Sequence, residues 1–249
     1  MTFRIIVDDE ERTEAMHHAL DQTLVERLDA DEMQPTLRFW YRENRAVPMG
    51  RFQAYEDEVQ QGYIDAEGIE VVRRITGGGS MYVEPGSVVT YSMYLPPDMV
   101  SDDIEASYRE LDRWTIDALR GVGLDVEHEP LNDIVHEDGK IGGDAQLRKS
   151  GAVLHHATLS YDLNIENMLK ALRIGKEKVS DKAIKSAEKR VAVMRDYVDL
   201  DRAEVIGAMR DHFMDVYGGR EGTFTEGELD RARQLAEDKF STEEWNRKL

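Results

Sequence analysis

The sequence predicts an α+β fold, a mixed or antiparallel sheet flanked by helices, rather than a doubly wound parallel sheet. Three observations predict it. Short apolar runs rich in β-branched and aromatic residues recur at 37–41, 46–49, 69–73 and 88–95. Adjacent hairpin-like runs then follow at 133–137, 140–146 and 152–162 with no helix between them. Beyond Asn164 the periodicity turns helical to the end of the chain. Strands mixed with helices, together with several adjacent hairpins, form a layered α+β domain.

Each element has its own signal. Residues 3–7, with Ile5, Ile6 and Val7, read as a strand. Residues 11–28 read as a helix whose Met16, Leu20, Leu24 and Leu28 recur every four positions and mark a core face. On that helix His17 and His18 are expected as one core-edge and one exposed residue. A short helix near 56–61 is expected to close at Gly62. Residues 102–120 form a longer helix, with Ile104, Leu111, Ala118 and Leu119 inward and a stop at Gly121. A strand at 124–127 rejoins the sheet, and Asp138-Gly139 supplies a two-residue hairpin turn. Asp201 with Glu204, and Thr225 with Glu228, are capping-box helix starts. The chain is expected to form one domain over 1–249, of which 196–249 is a helical extension.

At 249 residues and 41% hydrophobic, the chain can bury a substantial core. No stretch approaches the roughly 20 apolar residues of a membrane helix, and a cytoplasmic location is expected. The absence of cysteine excludes disulfides, thiolate metal sites and cysteine nucleophiles. No histidine pair has ligand spacing with a third donor, so no metal site is expected. A net charge of −19 argues against nucleic acid as a partner, because phosphate backbones need a basic face. With 51 acidic residues and more arginine than lysine, the composition resembles that of salt-adapted cytosolic proteins. The sign of the charge is uneven. Residues 170–190 hold six of the ten lysines and carry eight basic against three acidic side chains. This run is read as an anion site in preference to a solvated helix face.

Three segments carry chemistry. In the first, Arg73-Arg74-Ile75-Thr76-Gly77-Gly78-Gly79-Ser80-Met81-Tyr82, two cations run into three glycines. Glycine is costly to order, and a chain accepts that cost where a ligand approaches main chain or where φ must be positive. The second places Lys140 at the start of a returning strand, followed by Gly142-Gly143. The third, Val153-Leu154-His155-His156-Ala157-Thr158-Leu159, continues the ribbon. In this order and spacing they resemble the lipoate–protein ligase A family, with its Arg-Arg-x-Ser/Thr-Gly-Gly-Gly-Ala, Asn-Asp…Asp-Gly-Lys-Lys-Ile-Ser-Gly-Ser-Ala-Gln and His-His-Gly-Thr-Leu-Leu. Trp40 with the Gly50-Arg51-Phe52-Gln53 run, residues 180–191, and the Lys239–Asn246 stretch match further family motifs. The resemblance covers nearly the whole chain.

It implies the biotin/lipoate-ligase catalytic fold, related to class II aminoacyl-tRNA synthetase catalytic domains, without the small C-terminal accessory domain that family members commonly carry. Some archaeal relatives supply that domain as a separate polypeptide, and the same is expected here. The implied reaction activates lipoate with ATP to lipoyl-AMP. The acyl group then passes to a lysine of a lipoyl-domain protein, such as a 2-oxoacid dehydrogenase E2 or the glycine cleavage H protein. Lys140 would be catalytic, contacting the α-phosphate and the carboxyl oxygen. Arg74, Gly79, Ser80, Met81 and Tyr82 match nucleotide-contacting positions, and Lys182 and Lys185 are further phosphate contacts. Arg73, Arg74, Gly77, Gly78 and Gly79 would lie beside the acyl carboxyl, with Trp40 and one of His155 or His156 shaping the acyl pocket. Phe39 and Val153 are weaker tunnel candidates. Mg²⁺ would travel with ATP. Two departures stand out. Gly142-Gly143-Asp144 replaces Ser-Gly-Ser, which brings a carboxylate near a phosphate site unless Arg148 or Lys149 pairs with it, and Ala157 replaces Gly. A lipoyl or octanoyl transferase of the same fold, which would ordinarily use a cysteine, and a non-catalytic lipoate-binding subunit are the alternatives.

Overall fold

The computed structural model describes residues 2–173 and 190–249. In chain order its strands are β1 (Arg4–Val7), β2 (Thr36–Phe39), β3 (Ala46–Met49), β4 (Glu70–Arg73), β5 (Val88–Leu95), β6 (Glu127–Glu129), β7 (Asp133–His136), β8 (Gly139–Arg148), β9 (Val153–Ser160) and β10 (Arg220–Glu221). The described helices are α1 (Glu14–Asp29), α2 (Tyr55–Glu58), α3 (Gln61–Glu67), α4 (Ile104–Gly121), α5 (Ile165–Ala171), α6 (Arg202–Tyr217), α7 (Glu226–Leu235) and α8 (Glu243–Asn246). Eight strands form one sheet in the order β10-β1-β2-β5-β9-β8-β7-β6, parallel only where β1 meets β10 and β2. β3 and β4 form a separate parallel pair.

Helices cover both faces of the large sheet, which is why all eight residues of β5 and of β9 are buried. On one face Leu111, Trp114 and Leu119 of α4, with Val205, Met209 and Phe213 of α6, pack against Val89, Tyr91 and Met93 of β5 and Val153, Ala157 and Leu159 of β9. On the other face Leu20, Leu24 and Leu28 of α1, with Ala232 and Leu235 of α7, pack against Tyr94 and Leu154. The alternation along β5 and β9 therefore assigns every residue of these strands to a layer. Both capping boxes form as the sequence predicts, at Asp201–Glu204 and Thr225–Glu228.

Six expectations are corrected. The two-residue turn is Glu137-Asp138, because His136 pairs with Gly139 at the start of β8. The strand expected at 124–127 is β6, Glu127–Glu129, and Leu124 and Val126 before it are buried in the main core. Gly62 lies inside α3, and the helix is closed by Gly68 in the left-handed region at φ 61°. Ile104, the first residue of α4, is exposed. Residues beyond Asn164 are not wholly helical. The two-residue β10 pairs with β1, a strand too short and too polar to show alternation. His17 and His18 are both buried, because α1 is enclosed on two sides, by the sheet and by the α7 layer. His17 stacks on Trp40 at 4.7 Å, and its Nε2–H donates to the Tyr41 carbonyl, 2.7 Å away.

Candidate active site

The loop leaving β4 is built around one guanidinium. Arg74 donates from Nε to Thr76 Oγ1 (3.0 Å), from Nη2 to the carbonyls of Gly77 (2.6 Å) and Gly79 (2.8 Å), and from Nη1 to the Pro48 carbonyl (3.2 Å). The loop is thereby wrapped on an internal cation instead of being free to flex. Burial lowers the Arg74 pKa to about 10, which leaves it charged at neutral pH. Gly78 sits at φ 93°, where a side chain is strained, and a Cβ there would come within 2.8 Å of Arg74 Nη2. The fit is tighter at Gly50, where a Cβ would lie 2.0 Å from the Gly78 carbonyl oxygen. Gly50→Ala is therefore expected to cost about 1–3 kcal/mol, read from the denaturant midpoint. Gly79→Ala, which meets nothing within 4 Å, is expected to leave stability unchanged. Equal midpoints for the two variants would show that the loop does not rest on Gly50.

Lys140 reaches the same space through a β-bulge. β7 and β8 pair Val135 with Lys140 but Ile134 with Gly142, so Ile141 is an extra residue that turns into the core. In a regular strand residues three apart face opposite sides. The bulge resets the alternation and puts Lys140 and Gly143 on one face. A Cβ on Gly143 would stand 2.9 Å from Lys140 Nζ, so the glycine leaves room for the lysine chain. The ammonium donates to Asp133 Oδ1 at 2.6 Å and is half-exposed. Its backbone is fixed on the other edge, where its N–H donates to the Arg190 carbonyl and its carbonyl accepts from Ala192.

Behind the loop runs a chain of buried polar groups. His156 Nδ1 lies 2.9 Å from Asp21 Oδ2, and His156 Nε2 lies 2.8 Å from Thr76 Oγ1. With Nδ1–H donated to the carboxylate, Nε2 accepts the Thr76 hydroxyl, whose oxygen in turn accepts from Arg74. Burial, opposed by Asp21, lowers the His156 pKa to about 4, so the imidazole stays neutral. Beside it, Glu14 pairs with Arg42 at 2.6 Å and with His18 at 3.2 Å. Burial pushes the Glu14 carboxyl up, but Arg42 and His18 more than offset it and hold it below the usual carboxylate range.

These elements enclose a cavity of ≈ 130 Å³ whose lining includes Trp40, Arg74, Gly78, Gly79, Ser80, Met81, Lys140 and His156. Other expected residues lie elsewhere. Arg73 faces away, its guanidinium fully used on the carbonyls of Gly50, Arg51, Gln53, Trp245 and Asn246, where it ties the C-terminal segment to β4. Gly77 serves Arg74 through its carbonyl. The Tyr82 ring packs in the satellite core under β3–β4, and its hydroxyl donates to Glu84. Phe39 and Val153 belong to the main core. His155 points to the opposite face from His156, toward α4, so of the two only His156 lines the cavity. The Asp144 side chain also points to that rear face. Arg148 bonds Gln146 and the Ser101 carbonyl, and Lys149 pairs with Asp29, so neither neutralises Asp144. Lys182 and Lys185 lie outside the described residues. Sequence reasoning missed Glu14, His18, Arg42, Thr90 and Asn132 in the lining. The one legible hint was Glu14 and His18 four residues apart on a helix.

Comparison with known proteins gives consistent matches. Residues 14–214 match the lipoyl protein ligase A/B catalytic domain. The chain is 36% identical over 224 residues to lipoate-protein ligase A subunit 1 of Thermoplasma acidophilum, covering 85% of this chain and 84% of that protein. A solved archaeal bi-partite lipoate protein ligase, studied with its E2 lipoyl domain from the same organism, superposes with a TM-score of 0.88 at 32% identity, covering 99% and 96% of the two chains. A lipoate-protein ligase A bound with ATP superposes with a TM-score of 0.85 at 30% identity, covering 99% of each chain.

Proposed function

This chain belongs to the lipoyl protein ligase A/B catalytic-domain family, and from that premise we infer that it is an ATP-dependent lipoate–protein ligase. The observation that carries the reading is one cavity wall shared by the Lys140 ammonium and the Arg74-wrapped triple-glycine loop. In the first step the lipoate carboxylate attacks the α-phosphate of ATP, forming the mixed anhydride lipoyl-AMP and releasing pyrophosphate. Two anions must meet, so the protein's task is to position them and to offset charge. Lys140 and Arg74 bring fixed positive charge to that point, and Gly78 and Gly79 allow close approach of a phosphate to main chain. In the second step the amine of an acceptor lysine attacks the anhydride carbonyl, an amide forms and AMP leaves. The absence of cysteine removes the thiolate route a transferase would take.

Trp40 and His156 are our choice for the acyl side of the cavity, and Ser80 and Met81 for the nucleotide side. The cavity does not suit a protein-held Mg²⁺: Glu14 is paired with Arg42 and His18, and Asp133 with Lys140. The ion belongs with the nucleotide phosphates. We take lipoyl domains as acceptors, with a separate accessory polypeptide as partner, on the support of the bi-partite Thermoplasma enzyme. A salt-rich cytoplasm suits a net charge of −19. Among the described residues no helix is long and apolar enough to cross a membrane.

Lipoate-dependent exchange of pyrophosphate into ATP tests the assignment. It is expected for this chain in high salt, either alone or once an accessory polypeptide is added, and its absence in both arms would overturn it. Transfer to an acidic lipoyl domain is expected to rise with ionic strength, as salt screens repulsion between two acidic proteins. A rate that falls steadily as salt is added would contradict this.

A further inference from the structure

Behind the strand that carries His156 lies a second group of side chains that the reaction does not use. Asp112 comes from the middle of α4, Asp144 from β8 and His155 from β9, and all three are buried. The register pairs Asp144 with Ala157 and Ala145 with His156, so Asp144 and His155 share the rear face while Ala145 and His156 look into the cavity. His155 Nε2 is 3.1 Å from Asp112 Oδ1 and 3.7 Å from Asp144 Oδ1. Both Asp144 carboxylate oxygens lack a hydrogen-bond partner, and Asp112 Oδ1 and His155 Nε2 have only each other, 3.1 Å apart without hydrogen-bond geometry. Buried polar atoms are rarely left so, and here one ligand atom from each of the three residues lies within 4.8 Å of the others.

We propose that Asp112, Asp144 and His155 bind a divalent transition-metal ion, of the zinc or manganese class, that pins α4 to β8 and β9 behind the active cavity. The donor–donor spacings fit. Metal–ligand bonds of about 2.0–2.1 Å in tetrahedral geometry put ligand atoms about 3.4 Å apart, between the two distances found here. The imidazole favours zinc over calcium or magnesium, and the two carboxylates also suit manganese. Charge balance agrees, since two carboxylates, a neutral imidazole and a dication sum to zero in a site where net charge is costly.

The surrounding shell supports the ligands. His128 Nδ1 lies 2.9 Å from Asp112 Oδ2 and orients that carboxylate so that Oδ1 faces His155. Gln146 lies 3.3 Å from His155 Nδ1. Turning its amide end for end gives Nδ1–H an acceptor and frees Nε2 for the ion, in exchange for the 3.3 Å contacts that Ser107 and Arg148 make to the amide oxygen. The site would account for Asp144, the residue that departs from the family's Ser-Gly-Ser. Its carboxylate is kept off the phosphate side and used at the back.

The test is binding and stability, independent of ligase activity. The full chain is stripped with chelator and titrated with Zn²⁺ or Mn²⁺, following melting temperature, metal content and the Mn²⁺ magnetic-resonance spectrum. One ion per chain and a rise of several degrees in melting temperature are expected. Asp144→Asn and His155→Gln keep the side-chain volumes and are each expected to weaken binding at least 100-fold. His136→Ala, in the separate His136-Glu137-Asp138 cluster whose two carboxylates are exposed, is expected to leave metal content and affinity unchanged. Failure to bind either ion overturns the proposal and leaves a carboxyl–carboxylate pair sharing a proton. Binding that survives Asp144→Asn and His155→Gln, or that His136→Ala abolishes, overturns it equally.

Discussion

Lys140→Ala is expected to reduce lipoate-dependent pyrophosphate exchange by at least 10²–10³-fold while leaving the fold intact. The two halves of this outcome have separate physical origins. The activity loss follows from removing the ammonium from a cavity where two anions must meet. Thermal stability should hold because that ammonium's ion pair with Asp133 is half-exposed, and pairs of that kind contribute about 0–1 kcal/mol. In a chain of this size that is at most a few degrees of melting temperature. The strand position itself is held by backbone bonds to Arg190 and Ala192, which alanine keeps. Exchange kinetics beside a melting curve check both parts, and exchange within tenfold of the parent would remove Lys140 from the chemistry.

Asp21→Ala is expected to be the most destabilising single change at the site. The carboxylate accepts from Arg38 (2.8 Å), Ser92 (2.9 Å), Tyr94 (2.5 Å) and His156 (2.9 Å). Alanine leaves the Arg38 guanidinium buried without its counter-charge, a loss of about 3–5 kcal/mol. The melting temperature should fall by roughly 6–20 °C. Asp21→Asn, which keeps acceptor capacity, should fall less. The same network sets the acid limit. Burial pushes the Asp21 carboxyl up, but Arg38 and His156 more than offset it, so the carboxyl lies below its unfolded value. The His156 pKa is about 4 against about 6.5 when unfolded. Between these pH values the unfolded chain takes up a proton that the native imidazole refuses. Stability is therefore complete above about pH 6.5 and declines as pH falls toward 4, by about 3 kcal/mol from His156, with Asp21 adding to the loss below that. Denaturant midpoints at pH 7.5, 6 and 5 check this, and a flat profile would show that His156 protonates without penalty.

Much of the site was legible in the residues. The glycine loop and the hairpin that carries the lysine are local signals, although the turn falls one residue early, at Glu137-Asp138, and five of the eight expected nucleotide contacts (Arg74, Gly79, Ser80, Met81 and Lys140) do line the cavity. The polar residues of α1 were not legible. Glu14, His18 and Asp21 sit on a helix whose four-residue apolar stripe explains only one side, and nothing local shows that a second side is enclosed. Arg73 and Arg74 were equally uninformative as a pair. Adjacent strand residues face opposite ways, and the C-terminal carbonyls that claim Arg73 lie about 170 positions away.

Alone, then, the order of residues determined what nearest neighbours can decide: strand and helix periods, capping boxes, the hairpin and the collinear motifs. Tertiary structure decided which side of each strand meets the ligand. Facing depends on register, and register is set by pairing between distant segments. One bulged residue, Ile141, turns Lys140 toward the glycine loop, and one step of alternation sends Asp144 and His155 to the rear while His156 looks into the cavity.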